Sequence, residues 1–470
     1  MSHRDKDVHI TTGTHAQDLL SAIEWLLSGI DLSRIGFRQD ISFSPRGLIW
    51  TTLLWVWSEE NTLTHRLPQA LKVVRQFGSE RKNAPQSLSY QALMKLLCRW
   101  STLLLEQLVS ALREQMQKSL KSLFCIGGFS VFGVDGSRLE LPRTRSNESH
   151  SAPKSVRSGR ATRRSRKRSK QSQQSRRQKS KGPQLWVTTM WHAGTGLAWD
   201  WRIGPADSSE RAHLREMIDA LPPDALVTAD AGFVGYEYWK ALLESDREFV
   251  IRVGSNVRLL KKLGYVRESA GTVYLWPDRQ ARHRQPPLVL RLVVVHDARQ
   301  PWYLVTSVCE TARLNDQDLI ELYRCRWGIE LFYRHFKQTF GRRKLRSHKA
   351  EHAHCEANWS LVGLGVMLLY ATSRLHRLHI PPRRLSVAQV LRAYRMAMRE
   401  FKDHPEPGES LRDQLSRAVI DDYQRANKKS REYPRKKYEP PPKPPHLQTA
   451  TRLQQKLARS IQLEQKGLTA

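Results

Sequence analysis

The chain has 470 residues and carries 78 Lys and Arg against 45 Asp and Glu, a formal net charge of +33. A charge of this size favours polyanionic partners, with nucleic acid first and an anionic membrane surface second, over a purely solubilising role. Scattered cysteines argue against a disulfide framework, and no apolar run reaches the roughly twenty residues that a membrane span needs. Because the first residues hold no apolar segment, we expect a cytoplasmic protein.

The first predicted unit is a helical domain over residues 1–125, with a possible role in binding DNA ends. Leucines recur there at helical spacing, and Ser44 before Pro45 is typical of a helix start. A second long helical pattern covers residues 87–120.

The second predicted unit, residues 126–375, mixes strands and helices. An apolar, β-branched run predicts a buried strand that ends at Asp135, with a second strand following from Leu139. Another strand ends at Asp230, and Ser208 or Ser209 is expected to cap the helix that precedes it. The remaining expected elements are a β-rich insertion over 255–308, a helix over 317–337 and an apolar helix over 356–373.

Two strongly basic regions lie in and after this unit. Residues 151–181 hold 13 basic side chains and no acidic one, so the segment 143–182 is predicted to be a disordered loop that binds phosphates. The third unit, residues 376–470, is predicted to be basic and helical, with a Pro-rich stretch at Pro440–Pro445.

Three carboxylates are candidate site residues because of their positions in the predicted strands and helix. Asp135 and Asp230 close predicted strands, where side chains of an α/β sheet emerge into a crevice. Glu330 lies in the predicted helix 317–337, and at 100° per residue it shares a stripe about 60° wide with other polar side chains. Taken by itself, this stripe is better explained as a solvated helix face on which Arg326 and Glu330 form an ordinary ion pair. The other members of the stripe are Tyr323, Arg326 and Lys337.

The segments VDGSRLELP, TADAGFVG and YRCRWGIELFYRHFK resemble the DDE-type insertion-sequence transposases. The third segment fits the pattern Y-x2-R-x3-E-x6-K of the group named after the fourth insertion-sequence family. The resemblance covers residues 125–375. It implies a ribonuclease H-like mixed sheet that carries the β-rich insertion.

The resemblance also implies a chemistry. Asp135, Asp230 and Glu330 would hold two Mg²⁺ ions, with Mn²⁺ as a substitute, because two-metal phosphodiester chemistry needs carboxylates to bind the ions. Tyr323, Arg326 and Lys337 would contact DNA phosphates. The implied partners are double-stranded element ends and target DNA, bound by a homodimer in the bacterial nucleoid, without a membrane.

Other side chains are weaker candidates for site residues. Trp302 begins the last strand of the insertion, where a Trp is most often a core residue. In the resembled group a Trp in a similar place stacks on a flipped base, so Trp302 is also a candidate DNA contact. Asp200 is expected to be a solvent-facing strand acid. Glu140 and Glu321 are expected at the surface, and the spacing of His348, His352, His354 and Cys355 fits no closed zinc site.

The sequence thus predicts a transposase that cleaves DNA at the ends of an insertion sequence and joins it to a target. Two alternatives remain open. One is a nuclease of the same fold that cuts without joining. The other is an inactive or domesticated transposase-derived DNA-binding protein, which the presence of all three acids disfavours.

Overall fold

The computed structural model describes residues 15–32, 35, 37, 44–77, 88–152, 182–296, 301–399, 410–421 and 443–465. The basic residues 153–181, most of the predicted loop, lie outside this part of the chain.

Four helices precede the sheet. The predicted start at Ser44 is confirmed, because its hydroxyl accepts a hydrogen bond from Gly47 N at 3.0 Å and Pro45 follows in the first turn. The predicted long helix is also present, capped by Ser89. The helices are α1 (His15–Leu27), α2 (Pro45–Trp57), α3 (Leu63–Phe77) and α4 (Tyr90–Ser119).

A mixed sheet forms the centre of the molecule, and the predicted α/β class is confirmed. Within the described residues it contains ten strands in the order β10-β6-β7-β8-β9-β5-β4-β1-β2-β3. The order β3-β2-β1-β4-β5, with β1 antiparallel to β2 and parallel to β4, gives the expected ribonuclease H-like arrangement. The strands of this part are β1 (Ser130–Glu140), β2 (Gln184–His192), β3 (Leu197–Pro205), β4 (Ala225–Ala229) and β5 (Glu248–Val253).

The first strand corrects a predicted boundary. Asp135 does not end a strand, because β1 continues to Glu140 without a break. Gly136 pairs with Thr188 of β2 and Ser137 pairs with Val187, so residues that favour a turn locally are held in the ladder by the neighbouring strand. Asp135 therefore projects from the middle of a long strand.

Side-chain caps mark the starts of two of the helices beside the sheet. Ser209 caps the helix before β4, as predicted, by accepting from Ala212 N. The basic segment begins later than predicted, because Thr144 caps a short helix whose Asn147 Nδ2 donates to Pro142 O and Ser347 O. These helices are α5 (Arg145–Ser151), α6 (Glu210–Met217) and α7 (Tyr236–Glu244).

The insertion does not stand apart from the sheet. Its last strand pairs with β5, so its strands extend the central sheet. The outermost strand comes from the C-terminal region and pairs in parallel with β6, which the sequence did not predict. These elements are β6 (Arg258–Lys261), β7 (Thr272–Leu275), α8 (Asp278–Arg282), β8 (Leu288–Val295), β9 (Trp302–Thr306) and β10 (His446–Thr449).

The predicted helix 317–337 is divided. Around Arg326 the backbone uses i to i+3 hydrogen bonds, from Arg326 N to Tyr323 O and from Ile329 N to Arg326 O, both at 3.1 Å. A π-helical turn over His335–Thr339 ends the segment. The remaining helices are α9 (Asp316–Cys325), α10 (Trp327–Arg334), α11 (Ala350–Arg377), α12 (Val387–Arg399), α13 (Leu411–Ser416) and α14 (Arg452–Gln465).

One contiguous apolar core joins the N-terminal helices to the sheet through α11. The indole of Trp57 donates to Gly363 O at 2.9 Å, and Trp359 donates to Ser101 Oγ at 2.8 Å. The division into units at 125 and 375 stays a prediction. Among the described residues no helix has the length and apolarity needed to cross a membrane.

Candidate active site

Two aspartates are aligned by strand pairing. β1 and β4 run in parallel with Val134 opposite Ala229, so Asp135 and Asp230 are the next residues along adjacent strands. Each carboxylate is oriented by its own backbone: Asp135 Oδ1 accepts from Gly136 N at 2.8 Å and Asp230 Oδ1 accepts from Gly232 N at 2.7 Å. Among the described residues, no hydrogen bond joins the second oxygen of either aspartate to another group.

Close packing of α10 on the sheet positions Glu330. A Cβ at Gly328 would overlap the indole ring of Trp191 in β2, so only glycine permits this approach. The hydroxyl of Tyr333 can donate a hydrogen bond to either of two backbone oxygens, Asp135 O at 2.9 Å and Val187 O at 3.0 Å. These contacts fix α10 over the strand that carries Asp135.

The side chains grouped with Glu330 have different environments. Tyr323 and Arg326 are buried, whereas Glu330 is exposed and lies 3.4 Å from Arg326 as an i, i+4 ion pair. Lys337 reaches the sheet, where its Nζ donates to Ser137 Oγ at 2.6 Å. The polar stripe predicted for a uniform helix is therefore interrupted near Arg326, since its first two members face the protein interior.

The carboxylates of this site affect one another. Burial raises the pKa of Asp135 to about 6, and the charges of Asp230 and Glu330 add to this effect. The Gly136 N–H and the Arg326 guanidinium oppose it. A group of acids with too little positive charge nearby is suited to bind cations.

A fourth acid, Glu210, was missed in the sequence. It is the first residue of α6, and the charges of Asp135 and Asp230 act on it directly. Burial is the first cause that raises the pKa of Glu210, to about 7. The only sequence clue was Gly136 directly after Asp135, because a residue without a side chain leaves room for another group.

The donor set fits divalent cations, since it consists of carboxylate oxygens. Asp135, Asp230 and Glu330 do not have ligand atoms all within 4.8 Å of one another, so these three acids do not enclose a single ion in the described structure. Two ions about 4 Å apart would span a wider set of oxygens.

The raised pKa of Asp135 predicts a pH-dependent stability of the metal-free protein. Its folded-state pKa exceeds the ordinary value of 3.8, so its stabilising contribution is lost as pH rises through about 6. Between pH 5 and pH 8 in chelator, the melting temperature of the wild type should fall more than that of D135N, by roughly 2 °C. Added Mg²⁺ should reverse the loss at pH 8. Parallel curves for the two proteins would refute the effect.

Trp302 lies near this group of residues. Since β4 and β5 are parallel and β9 is antiparallel to β5, the start of β9 lies at the same sheet edge as Asp230. The Trp302 ring is only partly buried, and its centroid lies 5.4 Å from that of Tyr323. The structure thus brings Trp302 beside a residue of the predicted site.

The other candidate acids lie in separate environments. Asp200 is buried, not solvent-facing as predicted, because Arg113 at 2.6 Å and Arg202 at 2.9 Å neutralise it. The surface positions predicted for Glu140 and Glu321 are confirmed.

The His and Cys residues near the start of α11 do not gather as one cluster. In the described part of the chain, His352 instead approaches Cys98 and Glu351, with ligand atoms within 4.8 Å of one another. Cys355 Sγ lies 3.7 Å from Cys98 Sγ. Three ligand groups, one of them the exposed Glu351, do not form the closed four-ligand set of a structural zinc site.

A basic cleft of about 590 Å³ adjoins Lys337. It lies beside the end of β1, on the side of the sheet reached by Lys337, and its charged lining favours phosphate groups. We define this basic cleft by Lys337, Arg343, Lys344 and Arg346.

A ribonuclease H-like sheet with carboxylates on two adjacent parallel strands defines the structural class of this protein. Residues 127–362, half of the chain, match the transposase DDE domain family, and the chain belongs to this family. Membership implies the use of a divalent metal ion.

Two known proteins were found to be similar to this chain, one by sequence and one by structure. The transposase InsG for insertion sequence element IS4 of Escherichia coli (strain K12) is 30% identical over 178 residues, which cover 36% of this chain and 38% of InsG. The chain thus matches little more than a third of that relative. The piggyBac transposase in a synaptic complex with hairpin DNA aligns over 88% of this chain and 84% of its own, with 13% identity and a TM-score of 0.40.

Proposed function

We propose that this protein is a DNA transposase that cleaves the ends of an insertion sequence and joins them to target DNA. The observation that carries the proposal is the alignment of Asp135 and Asp230 on adjacent parallel strands, with α10 fixed above Asp135. Its family membership supports the same activity. Asp135, Asp230 and Glu330 are the proposed metal ligands, with Mg²⁺ as the ion and Mn²⁺ as a substitute.

The bound ions would activate the attacking oxygen and stabilise the leaving oxygen of the phosphodiester. The residues of the chain position these groups. The backbone N–H groups of Gly136 and Gly232 hold the two aspartates in fixed orientations. Glu330 would turn from Arg326 toward the ions, which releases the guanidinium for a DNA phosphate.

Tyr323, Arg326 and Lys337 are the proposed phosphate contacts. Arg326 supports this role, because it is buried and its Nε has no hydrogen-bond partner in the described structure. An unpaired buried donor is costly, and a phosphate oxygen would satisfy it. Lys337 would continue the contact into the basic cleft.

The decisive experiment uses the purified chain with DNA that carries the inverted repeats flanking its gene, and a supercoiled plasmid as target. A transposase should yield covalent joints between the element end and the plasmid in the presence of Mg²⁺. Cleavage without joints would favour the nuclease alternative. Binding without cleavage would favour the inactive or domesticated alternative.

We propose further that the active assembly is a homodimer on DNA, located with the bacterial nucleoid. Joining two ends of one element requires two active sites, and the part of the chain that the structure describes contains one group of site acids. Light scattering of the protein with end DNA should give two chains per complex. One chain per complex under conditions that support joining would refute this stoichiometry.

Trp302 is proposed to stack on an unpaired base when a freed 3′-hydroxyl attacks the opposite strand to form a hairpin. Unstacking a base costs a few kcal/mol, and an aromatic partner returns about 1–3 kcal/mol. W302A should therefore nick the first strand normally but form roughly tenfold less hairpin. Gel analysis of nicked and hairpin products measures both steps. Trp276, a buried Trp in the same β-rich region, supplies the control for loss of a core indole. Normal hairpin yield from folded W302A would exclude this role.

A further inference from the structure

The carboxylate of Glu210 has no polar partner among the described residues. Neither a hydrogen bond nor an ion pair joins it to another residue of the described structure, although it is half-buried at the start of α6. The nearby arginines are engaged elsewhere. Arg138 lies over the Trp186 ring at 4.8 Å, and Arg211 Nε donates to Gly232 O at 2.8 Å.

Gly136 makes room for this carboxylate beside Asp135. A Cβ at Gly136 would overlap Glu210 Oε1 and lie 2.8 Å from Glu210 Cδ, closer than carbon atoms approach. The same Cβ would lie 2.7 Å from Trp186 Nε1, a buried donor that has no hydrogen-bond partner in the described structure. The space next to Gly136 is therefore bordered by polar atoms of both Glu210 and Trp186.

Glu210 also faces Asp230. A Cβ at Gly232 would lie 2.9 Å from Asp230 Oδ1 and 3.8 Å from Glu210 Oε2, so both oxygens border the same small space. The bond from Arg211 to Gly232 O ties the start of α6 to the turn that follows Asp230. Glu210 is thus held at the site by its helix and does not reach it by chance from a mobile loop.

The electrostatic cost of this arrangement requires an explanation. Asp135, Asp230 and Glu210 lie near one another, although their ligand atoms are not all within 4.8 Å in the described structure. Burial together with the charges of Asp135 and Asp230 raises the pKa of Glu210 to about 7. An acidic residue whose only role was to stabilise the helix N-terminus could do so from any exposed position of the first turn. Partial burial beside two other carboxylates destabilises the charged form of Glu210, unless a cation binds among the three groups.

We propose that Glu210 is a fourth carboxylate ligand of the divalent-ion site formed by Asp135 and Asp230. This inference rests on the proposed metal site and adds a ligand from α6, on the opposite side of β1 from α10. Once their side chains turn toward one ion, Asp135, Asp230 and Glu210 would hold it between β1, β4 and α6, while Glu330 still pairs with Arg326. The first ion would then bind before DNA arrives.

Binding of Mn²⁺ to the full chain without DNA tests the proposal independently of activity. Free Mn²⁺ can be measured by electron paramagnetic resonance for the wild type, E210Q and D135N. We expect E210Q to weaken the Asp135-dependent site about tenfold or more, because fewer charged ligands lower the affinity. E216Q is the matched control: Glu216 lies in the same helix and pairs with Arg202 at 3.4 Å.

G136A supplies a second variant that changes no charge. Its methyl group must displace the Glu210 carboxylate and shift the Trp186 indole. It should therefore weaken Mn²⁺ binding like E210Q, while E210Q/G136A should bind about as weakly as E210Q alone. Melting curves check that each variant is folded. Wild-type affinity in folded E210Q would overturn the role of Glu210 and leave the metal site intact. Absence of an Asp135-dependent site in the wild type would overturn both this inference and the proposed metal site.

Discussion

D135N, D230N and E330Q should each reduce DNA cleavage by about 10⁴-fold, on the scale seen when one member of a cooperating catalytic group is removed. Each substitution keeps the shape of the side chain but removes the charge that would bind an ion. Asp135 and Asp230 retain an oxygen that can accept the bonds from Gly136 N and Gly232 N. The local fold should therefore persist.

Affinity for end DNA should survive in these variants or increase, because each removes a negative charge from a surface that faces phosphates. Cleavage is measured on labelled end DNA with Mg²⁺, and affinity on the same DNA in chelator. E321Q is the control, since Glu321 lies on α9 at the surface and contacts Gln317. If any one of the three variants cleaved within tenfold of the wild type, that acid would not be a metal ligand.

R342M should lower the free energy of unfolding by about 3–5 kcal/mol, because it removes three hydrogen bonds donated by a buried guanidinium, each worth roughly 1.5–3 kcal/mol before the side chain relaxes. Arg342 is buried and donates to three acceptors: Ser360 Oγ at 2.7 Å, Phe340 O at 3.0 Å and Val56 O at 2.7 Å. It thereby joins α2, α11 and the end of the π-helical turn. Met fills most of the volume but leaves all three acceptors without this donor.

The loss should also affect Glu356. Its buried carboxylate accepts from Arg346 N and Ser347 N, and it is one of the charges that act on Arg342. Urea unfolding followed by tryptophan fluorescence measures the change. R343M is the matched control, because Arg343 is 76% exposed and pairs with Glu140 at 3.5 Å, which is worth about 0–1 kcal/mol. Equal stability of R342M and R343M would show that the buried network does not stabilise the fold.

The regular elements were predictable where local pattern and burial agree. β4 ends directly before Asp230, close to where the sequence predicts, because it is a short apolar run bounded by residues that favour turns. The caps at Ser44 and Ser209 were predictable for the same reason, since a hydroxyl before a helix start acts locally.

The features of the fold that the sequence does not predict depend on contacts between distant segments. The continuation of β1 past Gly136 depends on β2, more than forty residues later in the chain. The division of the helix at Arg326 accompanies the close packing of Gly328 on Trp191, which no helical periodicity reveals. Burial of Asp200 depends on Arg113 from α4.

The residues of the candidate site could be selected only in part from the sequence, and their roles stay predictions. Asp135, Asp230 and Glu330 stood out because they lie in segments that resemble a known family. Glu210 lies at an ordinary helix start, where an acid is common for reasons of the helix dipole. Its approach to Asp135 depends on how α6 packs over β1. In the sequence, only the absence of a side chain at Gly136 indicated that another group could lie there.

The C-terminal strand β10 has a consequence for handling the protein. It covers the backbone of β6 through four parallel pairs, from His446 opposite Arg258 to Thr449 opposite Lys261. α14 then packs Ala458 and Ile461 onto the apolar face of the insertion. A fragment that stops before residue 443 would expose both an unsatisfied strand edge and this apolar face. Such edges recruit strands from other molecules, so shortened forms of this chain are poor choices for expression and are prone to aggregation and strand exchange.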